Sequence, residues 1–263
     1  MPFISIDGCR FHYRLDGPPD AKVLLLSHSL GNDLRMWESQ MPAFTQHFRV
    51  LRYDSRGHGQ TPTTPGPYSI EQLGHDVVAI LQALGIARVD FCGLSMGGMV
   101  GMWLATNAPD LIDHLVLCNT SPKLGPPSRW DERIRAVESG GMAAVADAAV
   151  ERWFTPSFRQ SSPTTVERVI GMTVAMSAEG YVASCAAIRD MDQTDAIDTI
   201  AHRTLVVVGE YDPATPPASG ALIAQKVRHS TLVSLPAAHL SNIEAASDFN
   251  RAVVSFLIGG VHG

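Results

Sequence analysis

The residue in this sequence best suited to covalent chemistry is a serine flanked by glycines. Ser95 lies in the segment GLSMGG at residues 93–98, between an apolar run and a helix-like stretch. Small residues two positions either side of the serine let a strand and a helix approach closely around a tight turn, which presents the hydroxyl outward. The segment therefore predicts a nucleophile elbow. Because the Gly-x-Ser-x-Gly pentapeptide also recurs by chance, the assignment needs a partner base elsewhere in the sequence.

A serine hydroxyl is a weak nucleophile until an imidazole accepts its proton and a carboxylate orients that imidazole. In an α/β sheet the active groups gather at the carboxyl ends of strands, in the chain order serine, acid, histidine. Among the histidines after Ser95, only His239 follows an apolar run directly, in the segment LPAAH. The others precede strands or lie in the tail: His114, His202, His229 and His262. We predict that His239 is the base.

The same rule selects the acid. The apolar run LVVV at residues 205–208 leads into GEYDP, which carries Asp212 and, as a less favoured alternate, Glu210. Taken alone, Asp212 is equally compatible with an ordinary Asp-Pro turn. Because it lies between Ser95 and His239 in the expected order, the sequence predicts a triad of Ser95, Asp212 and His239.

Acyl transfer also needs donors directed at the developing oxyanion. The first is predicted to be the backbone N–H of Met96, directly after the nucleophile, and the second that of Leu30, in the loop SHSLGN at residues 27–32. His28 could be a second base, but its place at a strand end before a glycine-containing loop favours a role in bracing that loop.

Short apolar runs alternate with helix-length amphipathic stretches, which is typical of parallel strands buried on both faces. Two alternating segments, 3–6 and 10–15, flank Asp7-Gly8 and predict an antiparallel hairpin that opens the sheet. Further strands are predicted at 23–26, 49–53, 89–92, 115–118, 205–208 and 232–235, and helices at about 35–44, 70–84, 97–108, 216–228 and 243–258. The fold class is α/β.

The alternation breaks between residues 122 and 198, where Trp130, Ile134 and Val137 have helical spacing and two Ala-rich stretches follow at 142–150 and 181–191. We predict a helical cap over residues 122–198, inserted between a first core segment, 1–121, and a second, 199–263. No linker divides the chain into two equal domains.

The composition excludes several classes of function. With 45% hydrophobic and 17% charged residues, the chain can bury a core, and a net charge of −6 without any basic run argues against nucleic acid and membrane surfaces as partners. No apolar stretch approaches the roughly 20 residues of a membrane span, and we expect no secretory signal, because the first residues lack a basic segment followed by a long apolar one. The four cysteines, Cys9, Cys92, Cys118 and Cys185, lack metal-site spacing, so we expect no metal, no disulfide framework and a cytoplasmic location.

The order of elements, the elbow, Asp212 and His239 resemble the α/β-hydrolase superfamily over essentially the whole chain. This resemblance implies a mostly parallel eight-stranded sheet flanked by helices, under a helical cap. The segment YDSRGHG at residues 53–59 resembles the superfamily's Asp-x-Arg-Gly-x-Gly loop, which implies a structural role for His58. Ser29 departs from the glycine that many members have there, and this leaves open a second oxyanion donor other than Leu30.

More narrowly, HSLG at residues 28–31, Met36-Trp37, FRVLRYD at 48–54 and the elbow resemble 3-oxoadipate enol-lactonases of aromatic-compound catabolism, the β-ketoadipate pathway. The likeness is strong over the first 120 residues and weaker through the insertion. It implies a cofactor-independent serine hydrolase, with Ser95 attacking the carbonyl of a small anionic lactone. A serine nucleophile argues against dehalogenation.

The substrate carboxylate implied by this resemblance needs a cation or several donors in a buried pocket. Arg133, three residues after Trp130, is our candidate, with Arg129 and Arg135 as rivals; each could equally be a solvated helix residue. Trp130, Trp153 and Met142 are candidate pocket-lining residues, although such residues more often serve packing.

Four alternatives stay open at this point. A carboxylesterase or a carbon–carbon bond hydrolase uses the same triad, and the fold can also serve as a small-molecule receptor. Perhydrolysis is a further triad chemistry. Neither the ring substituents of the substrate nor the oligomeric state can be deduced from the sequence.

Overall fold

The eight-stranded sheet expected from the sequence is present in the computed structural model, which describes residues 2–259. The strands are β1 (Phe3–Ile6), β2 (Cys9–Asp16), β3 (Val23–Ser27), β4 (Arg49–Tyr53), β5 (Val89–Leu94), β6 (Ile112–Cys118), β7 (Arg203–Gly209) and β8 (Ser230–Leu235). Their order is β1-β2-β4-β3-β5-β6-β7-β8. The β1–β2 and β2–β4 pairs are antiparallel and the other pairs are parallel, which confirms the predicted fold class.

The opening hairpin turns at two residues with positive φ, Asp7 at 46° and Gly8 at 80°. Two consecutive positive φ values characterise the turn whose twist matches that of the flanking strands, and Asp-Gly is a preferred sequence for it. The predicted hairpin is therefore confirmed, with its second strand extended by one residue at each end.

Alternating side chains of the central strands enter two different hydrophobic clusters. Leu25, Phe91 and Leu115 pack on one face of the sheet, whereas Leu24, Cys92 and Val116 pack on the other. Because successive side chains of a strand point to opposite faces, helices on both faces require strands that are apolar throughout. This is why the central strands appear in the sequence as continuous apolar runs.

The helices are α1 (Met41–Phe44), α2 (Ile70–Ala83), α3 (Met96–Asn107), α4 (Pro127–Gly140), α5 (Ala143–Trp153), α6 (Pro156–Ser161), α7 (Pro163–Val174), α8 (Ala178–Asp190), α9 (Pro217–Lys226), α10 (Ser241–Glu244) and α11 (Ala246–Ile258). The prediction of one helix at 35–44 is wrong. A 3₁₀ helix, Leu34–Trp37, precedes the single turn α1, because Pro42 lacks an N–H and is accommodated only in a first helical turn. The predicted helix at 243–258 is interrupted at Ala245, whose backbone leaves the helical region.

Five helices, α4–α8, lie between β6 and β7 and form what we call the cap. An antiparallel bridge joins Lys123 to Asp192, and their side chains form an ion pair of 2.7 Å. Gln193 N–H donates to the Pro122 carbonyl at 2.9 Å. The two chain segments that lead into and out of the cap are therefore held side by side at its base. The residue limits 122 and 198 stay a prediction.

Within residues 2–259, no single helix is both long and apolar enough to cross a membrane; α7 and α8 meet that test only as a pair bent by 92°. All four cysteines are buried and free, and the Sγ atoms of Cys92 and Cys118 are 3.9 Å apart. His262 lies outside the described residues.

Candidate active site

Ser95 lies at the junction of β5 and α3 in a strained backbone conformation, with φ 57° and ψ −115°. Such values are costly for a residue with a side chain and cluster at functional sites. The close approach of strand and helix accounts for the glycines: a Cβ on Gly93 would lie 2.2 Å from the Gly97 carbonyl oxygen, and one on Gly97 would lie 2.1 Å from that of Ser27. The backbone has the geometry of a nucleophile elbow.

The neighbouring strand β6 holds this turn in place. Ser95 N–H donates to the Cys118 carbonyl at 2.9 Å, and the Thr120 hydroxyl donates to the Ser95 carbonyl at 2.8 Å. The Ser95 carbonyl also accepts from the Met99 N–H, so both main-chain polar groups of the serine are satisfied. Only the serine side chain is left for chemistry.

Asp212 and His239 meet at the carboxyl ends of β7 and β8. His239 Nδ1 lies 2.8 Å from Asp212 Oδ2, and their side chains are 4% and 0% exposed. The carboxylate also accepts hydrogen bonds from Ala214 N–H at 2.8 Å, Thr215 N–H at 3.0 Å, the Thr215 hydroxyl at 2.7 Å and Asn119 Nδ2 at 3.0 Å. The alternate acid, Glu210, is exposed.

These contacts determine the charge of the acid. Burial raises the pKa of Asp212, but the nearby His239 and the hydrogen bonds from Asn119 and Thr215 outweigh it and lower the pKa to about 2. An ionised Asp212 holds the proton of His239 on Nδ1, so Nε2 is free to accept a proton.

Ser95 and His239 line the same cavity, and Asp212 contacts the histidine from behind, outside the cavity lining. No hydrogen bond links the Ser95 hydroxyl to the imidazole within residues 2–259. Such bonds are often long in unliganded sites and shorten when substrate binds.

The two predicted oxyanion donors are both available. Met96 is the first residue of α3, and neither its N–H nor that of Leu30 donates to any acceptor in the described chain. In the loop of residues 29–32 the other N–H groups are engaged: Ser29 with the Met36 sulfur, Gly31 with His58 and Asn32 with the Ser29 carbonyl. Ser29 stands where many family members have glycine, and its φ is not positive. The Leu30 N–H is nevertheless the donor of this loop without an acceptor in the described chain, and Leu30 lines the cavity.

His28 and His58 brace this loop. His28 Nε2 accepts from Ser55 N–H at 2.9 Å, so the proton is on Nδ1, which lies 2.9 Å from the Ser29 carbonyl. His58 Nε2 accepts from Gly31 N–H at 3.4 Å. Burial lowers the pKa of both imidazoles, and for His58 the neighbouring His28 lowers it further. Both histidines are therefore neutral and engaged, which excludes His28 as a second base.

The wall that the cap contributes to the cavity is cationic. Arg133 and its rival Arg129 both line it, together with Trp130 and Trp153, and the Arg133 guanidinium lies 4.7 Å above the Trp130 ring. Arg152, which the sequence analysis missed, is a third guanidinium in the same wall. In the described chain, none of the three lies within 4.0 Å of a carboxylate oxygen.

These unpaired cations affect one another. Burial lowers the pKa of Arg152, and the neighbouring Arg133 lowers it further. Burial also raises the pKa of Tyr181, another residue of this wall, to about 12, so its phenol stays protonated. Repulsion among neighbouring cations costs stability, and an anionic ligand would relieve it.

Two predicted pocket residues lie elsewhere. Arg135 does not line the cavity, because it lies off the face of α4 that carries Arg129 and Arg133. Met142 does not line it either: it is 5% exposed and packs in the core cluster that includes Val137 and Val145, where the chain turns from α4 into α5. Arg152 lies directly before Trp153, about 100° around the helix from it, so helical spacing from Trp153 gives no signal for Arg152.

The described residues contain no group of three or more His, Cys, Asp or Glu side chains arranged to hold a metal ion. A strained serine, a buried Asp–His pair and two free N–H donors can together catalyse acyl transfer. This site and the sheet define a hydrolase class, and a family model described as alpha/beta hydrolase fold matches residues 22–246. The chain belongs to the α/β-hydrolase family.

Within that family the chain is 40% identical to 3-oxoadipate enol-lactonase 2 of Acinetobacter baylyi, over 95% of this chain and 94% of that protein. The crystal structure of the enol-lactonase from Burkholderia xenovorans LB400 superposes with a TM-score of 0.96 at 42% identity, covering 98% of this chain and 100% of that one. A protein of Agrobacterium fabrum with the provisional name carbamate hydrolase RutD is 30% identical over 94% of this chain and 98% of its own length.

Proposed function

We propose that this protein is a serine hydrolase that opens a small anionic lactone, 3-oxoadipate enol-lactone, to 3-oxoadipate. The observation that carries the proposal is a single cavity lined by Ser95 and His239 from the core and, from the cap, by three arginines without carboxylate partners in the described chain. The relatives named as enol-lactonases support the choice of substrate.

Acylation begins when His239 Nε2 removes the Ser95 hydroxyl proton and the oxygen attacks the lactone carbonyl. Negative charge then develops on the carbonyl oxygen, where the Leu30 and Met96 N–H groups stabilise it. Asp212 stabilises the imidazolium that forms. Collapse of the tetrahedral intermediate breaks the ring C–O bond, and His239 returns its proton to the departing enol oxygen.

The enol remains tethered to the acyl group, so it is not lost by diffusion. Its tautomerisation to the ketone removes the enol hydroxyl, the nucleophile that would close the ring again. Ring opening is therefore difficult to reverse. Water then attacks the acyl-enzyme while His239 accepts its proton, and the Ser95 oxygen leaves with that proton. The net reaction adds one water to the lactone.

We propose that the substrate carboxylate binds to Arg133 and Arg152, which are half-buried, while Arg129 is exposed. Guanidinium groups form paired, charge-assisted hydrogen bonds with carboxylates, and the partly buried wall strengthens them relative to water. Trp130 and Trp153 provide flat apolar surface for the ring. We also propose a role in the β-ketoadipate pathway; a cytoplasmic location stays a prediction.

The test is a steady-state comparison of the purified protein on 3-oxoadipate enol-lactone, neutral aryl esters and N-carboxylated amines, which represent carbamates. We expect the highest kcat/KM for the enol-lactone. Faster carbamate turnover would favour the chemistry named for the Agrobacterium relative, and faster aryl ester turnover a general carboxylesterase. Covalent labelling of Ser95 by a fluorophosphonate without turnover of any substrate would indicate a receptor.

A further inference from the structure

The cap contacts the oxyanion loop through a buried hydroxyl. Thr173, on α7, is 1% exposed, and its Oγ1 donates to the Gly31 carbonyl at 3.0 Å. The same hydroxyl lies 3.2 Å from the Val169 carbonyl one turn earlier in the helix. The hydroxyl has one proton to donate, and the Gly31 carbonyl is the nearer of the two acceptors. The contact with Gly31 connects the cap to the core, and it competes with the bond inside the helix.

Gly31 directly follows Leu30, the candidate oxyanion donor, and has φ 80°. Its N–H is held by His58, and Thr173 is the one donor to its carbonyl in the described chain. The cap also encloses Gly31 laterally, because a Cβ there would lie 3.4 Å from the rings of Trp153 and Tyr181. Before Leu30, the Ser29 carbonyl is held by His28.

We propose that Thr173 is a positioning residue for the oxyanion hole: its hydroxyl fixes the Gly31 peptide and thereby the direction of the Leu30 N–H. The bonds of His28, His58 and Thr173 to the main chain of Ser29 and Gly31 together restrain the backbone on both sides of Leu30. Among the described residues, the bond from Thr173 is the one polar restraint on this loop that comes from the cap. This inference rests on the proposed acyl-transfer function and extends it by giving the cap a role in transition-state stabilisation.

The test is Thr173→Val, which keeps the branched shape and removes the hydroxyl. Deleting an oxyanion donor outright lowers kcat about 10²- to 10³-fold. Because Thr173→Val leaves the Leu30 donor present but less well aligned, we expect a smaller loss, about tenfold in kcat, with KM within twofold of the parent. Thr173→Ser should restore kcat, since it restores the hydroxyl.

The matched control is Ser184→Ala. Ser184 is another buried hydroxyl of the cap, and within residues 2–259 it donates only to the Gly180 carbonyl of its own helix, at 2.9 Å. Its removal should leave kcat and KM unchanged. Thr173→Ala provides a second hydroxyl-deleted variant if the valine variant does not fold, and circular dichroism establishes folding of each.

A second readout separates alignment from general destabilisation. A boronic acid that forms a tetrahedral adduct with Ser95 directs an oxygen at the two N–H donors. Its affinity should fall in Thr173→Val in proportion to kcat/KM. If kcat stays within twofold of the parent, if only KM changes, or if Ser184→Ala loses as much activity, the proposal is wrong.

The experiment also distinguishes this proposal from the substrate assignment. The oxyanion hole serves every acyl substrate, so the variants are assayed on the best-hydrolysed aryl ester as well as on the enol-lactone. Failure to hydrolyse the enol-lactone contradicts the proposed substrate. Normal kcat of Thr173→Val on the aryl ester contradicts the role of Thr173.

Discussion

Replacement of Arg152 by methionine tests whether the cationic wall recognises the substrate. Methionine keeps much of the length and packing of the side chain but removes its charge and donors. Arg152 is half-buried, lines the cavity and has no carboxylate within ion-pair distance in residues 2–259. Its charge is therefore available to a ligand.

The expected magnitude follows from the strength of a hydrogen bond to a charged group. Such a bond contributes about 1.5–3 kcal/mol, and each 1.4 kcal/mol is about tenfold in affinity. Arg133 and Arg129 still face the carboxylate in the variant, so the loss should lie at the lower end. We expect KM for the anionic lactone to rise about tenfold with kcat little changed, because this contact is made equally in ground and transition states.

Steady-state kinetics on the enol-lactone and on a neutral aryl ester provide the assay, with Arg135→Met as the matched control on the cap. The control should match the parent, since Arg135 does not line the cavity. Thermal unfolding gives an independent check: because Arg133 and burial both disfavour the charge on Arg152, its removal should not lower the Tm. An unchanged KM for the lactone, or an equal rise for the neutral ester, would refute carboxylate recognition by this wall.

Three further perturbations test other parts of the site. Thr215→Val removes a bond that lowers the pKa of Asp212. A carboxyl group whose pKa is lower in the folded protein than in the unfolded chain stabilises the fold at pH values above its pKa in the unfolded chain, and this stabilisation is lost as the pH falls towards about 2. Urea unfolding should therefore show that Thr215→Val loses more stability at pH 7 than at pH 2. Equal losses at the two pH values would contradict this. Glu244→Ala deletes the acceptor for Ala238 N–H, at 2.9 Å, and for the N–H and hydroxyl of Thr155, so calorimetry should show a loss of about 1–3 kcal/mol, and Glu244→Gln a smaller one. Gly97→Ala places a Cβ 2.1 Å from the Ser27 carbonyl oxygen and should abolish fluorophosphonate labelling of Ser95; labelling at the parent rate would show that the elbow tolerates the change.

The positions of the candidate catalytic residues were predictable because they follow from chain direction. Carboxyl ends of parallel strands meet at one edge of the sheet, so a residue directly after a strand run can be assigned without knowing the packing. Asp212 and His239 follow β7 and β8 in this way, and the structure brings them within 2.8 Å.

The pocket was less predictable because it forms between helices whose relative positions the sequence does not reveal. Periodicity indicates which residues share a helix face but not what that face contacts. Met142, which the sequence predicted to line the cavity, packs in the core, and Arg152, directly before Trp153, was missed. Thr173 carries no sequence signal at all, since its contact with Gly31 spans 142 positions.

The most direct test of acyl transfer at Ser95 is rapid-quench mass spectrometry of the protein mixed with 3-oxoadipate enol-lactone. Ring opening expels no fragment, so the acyl-enzyme should be heavier by the mass of one complete lactone. Peptide mapping should locate that mass on Ser95, and Ser95→Ala should form no adduct and show no turnover. Lactone turnover at the parent rate by Ser95→Ala, or an adduct on another residue that forms and decays at the rate of turnover, would contradict the account.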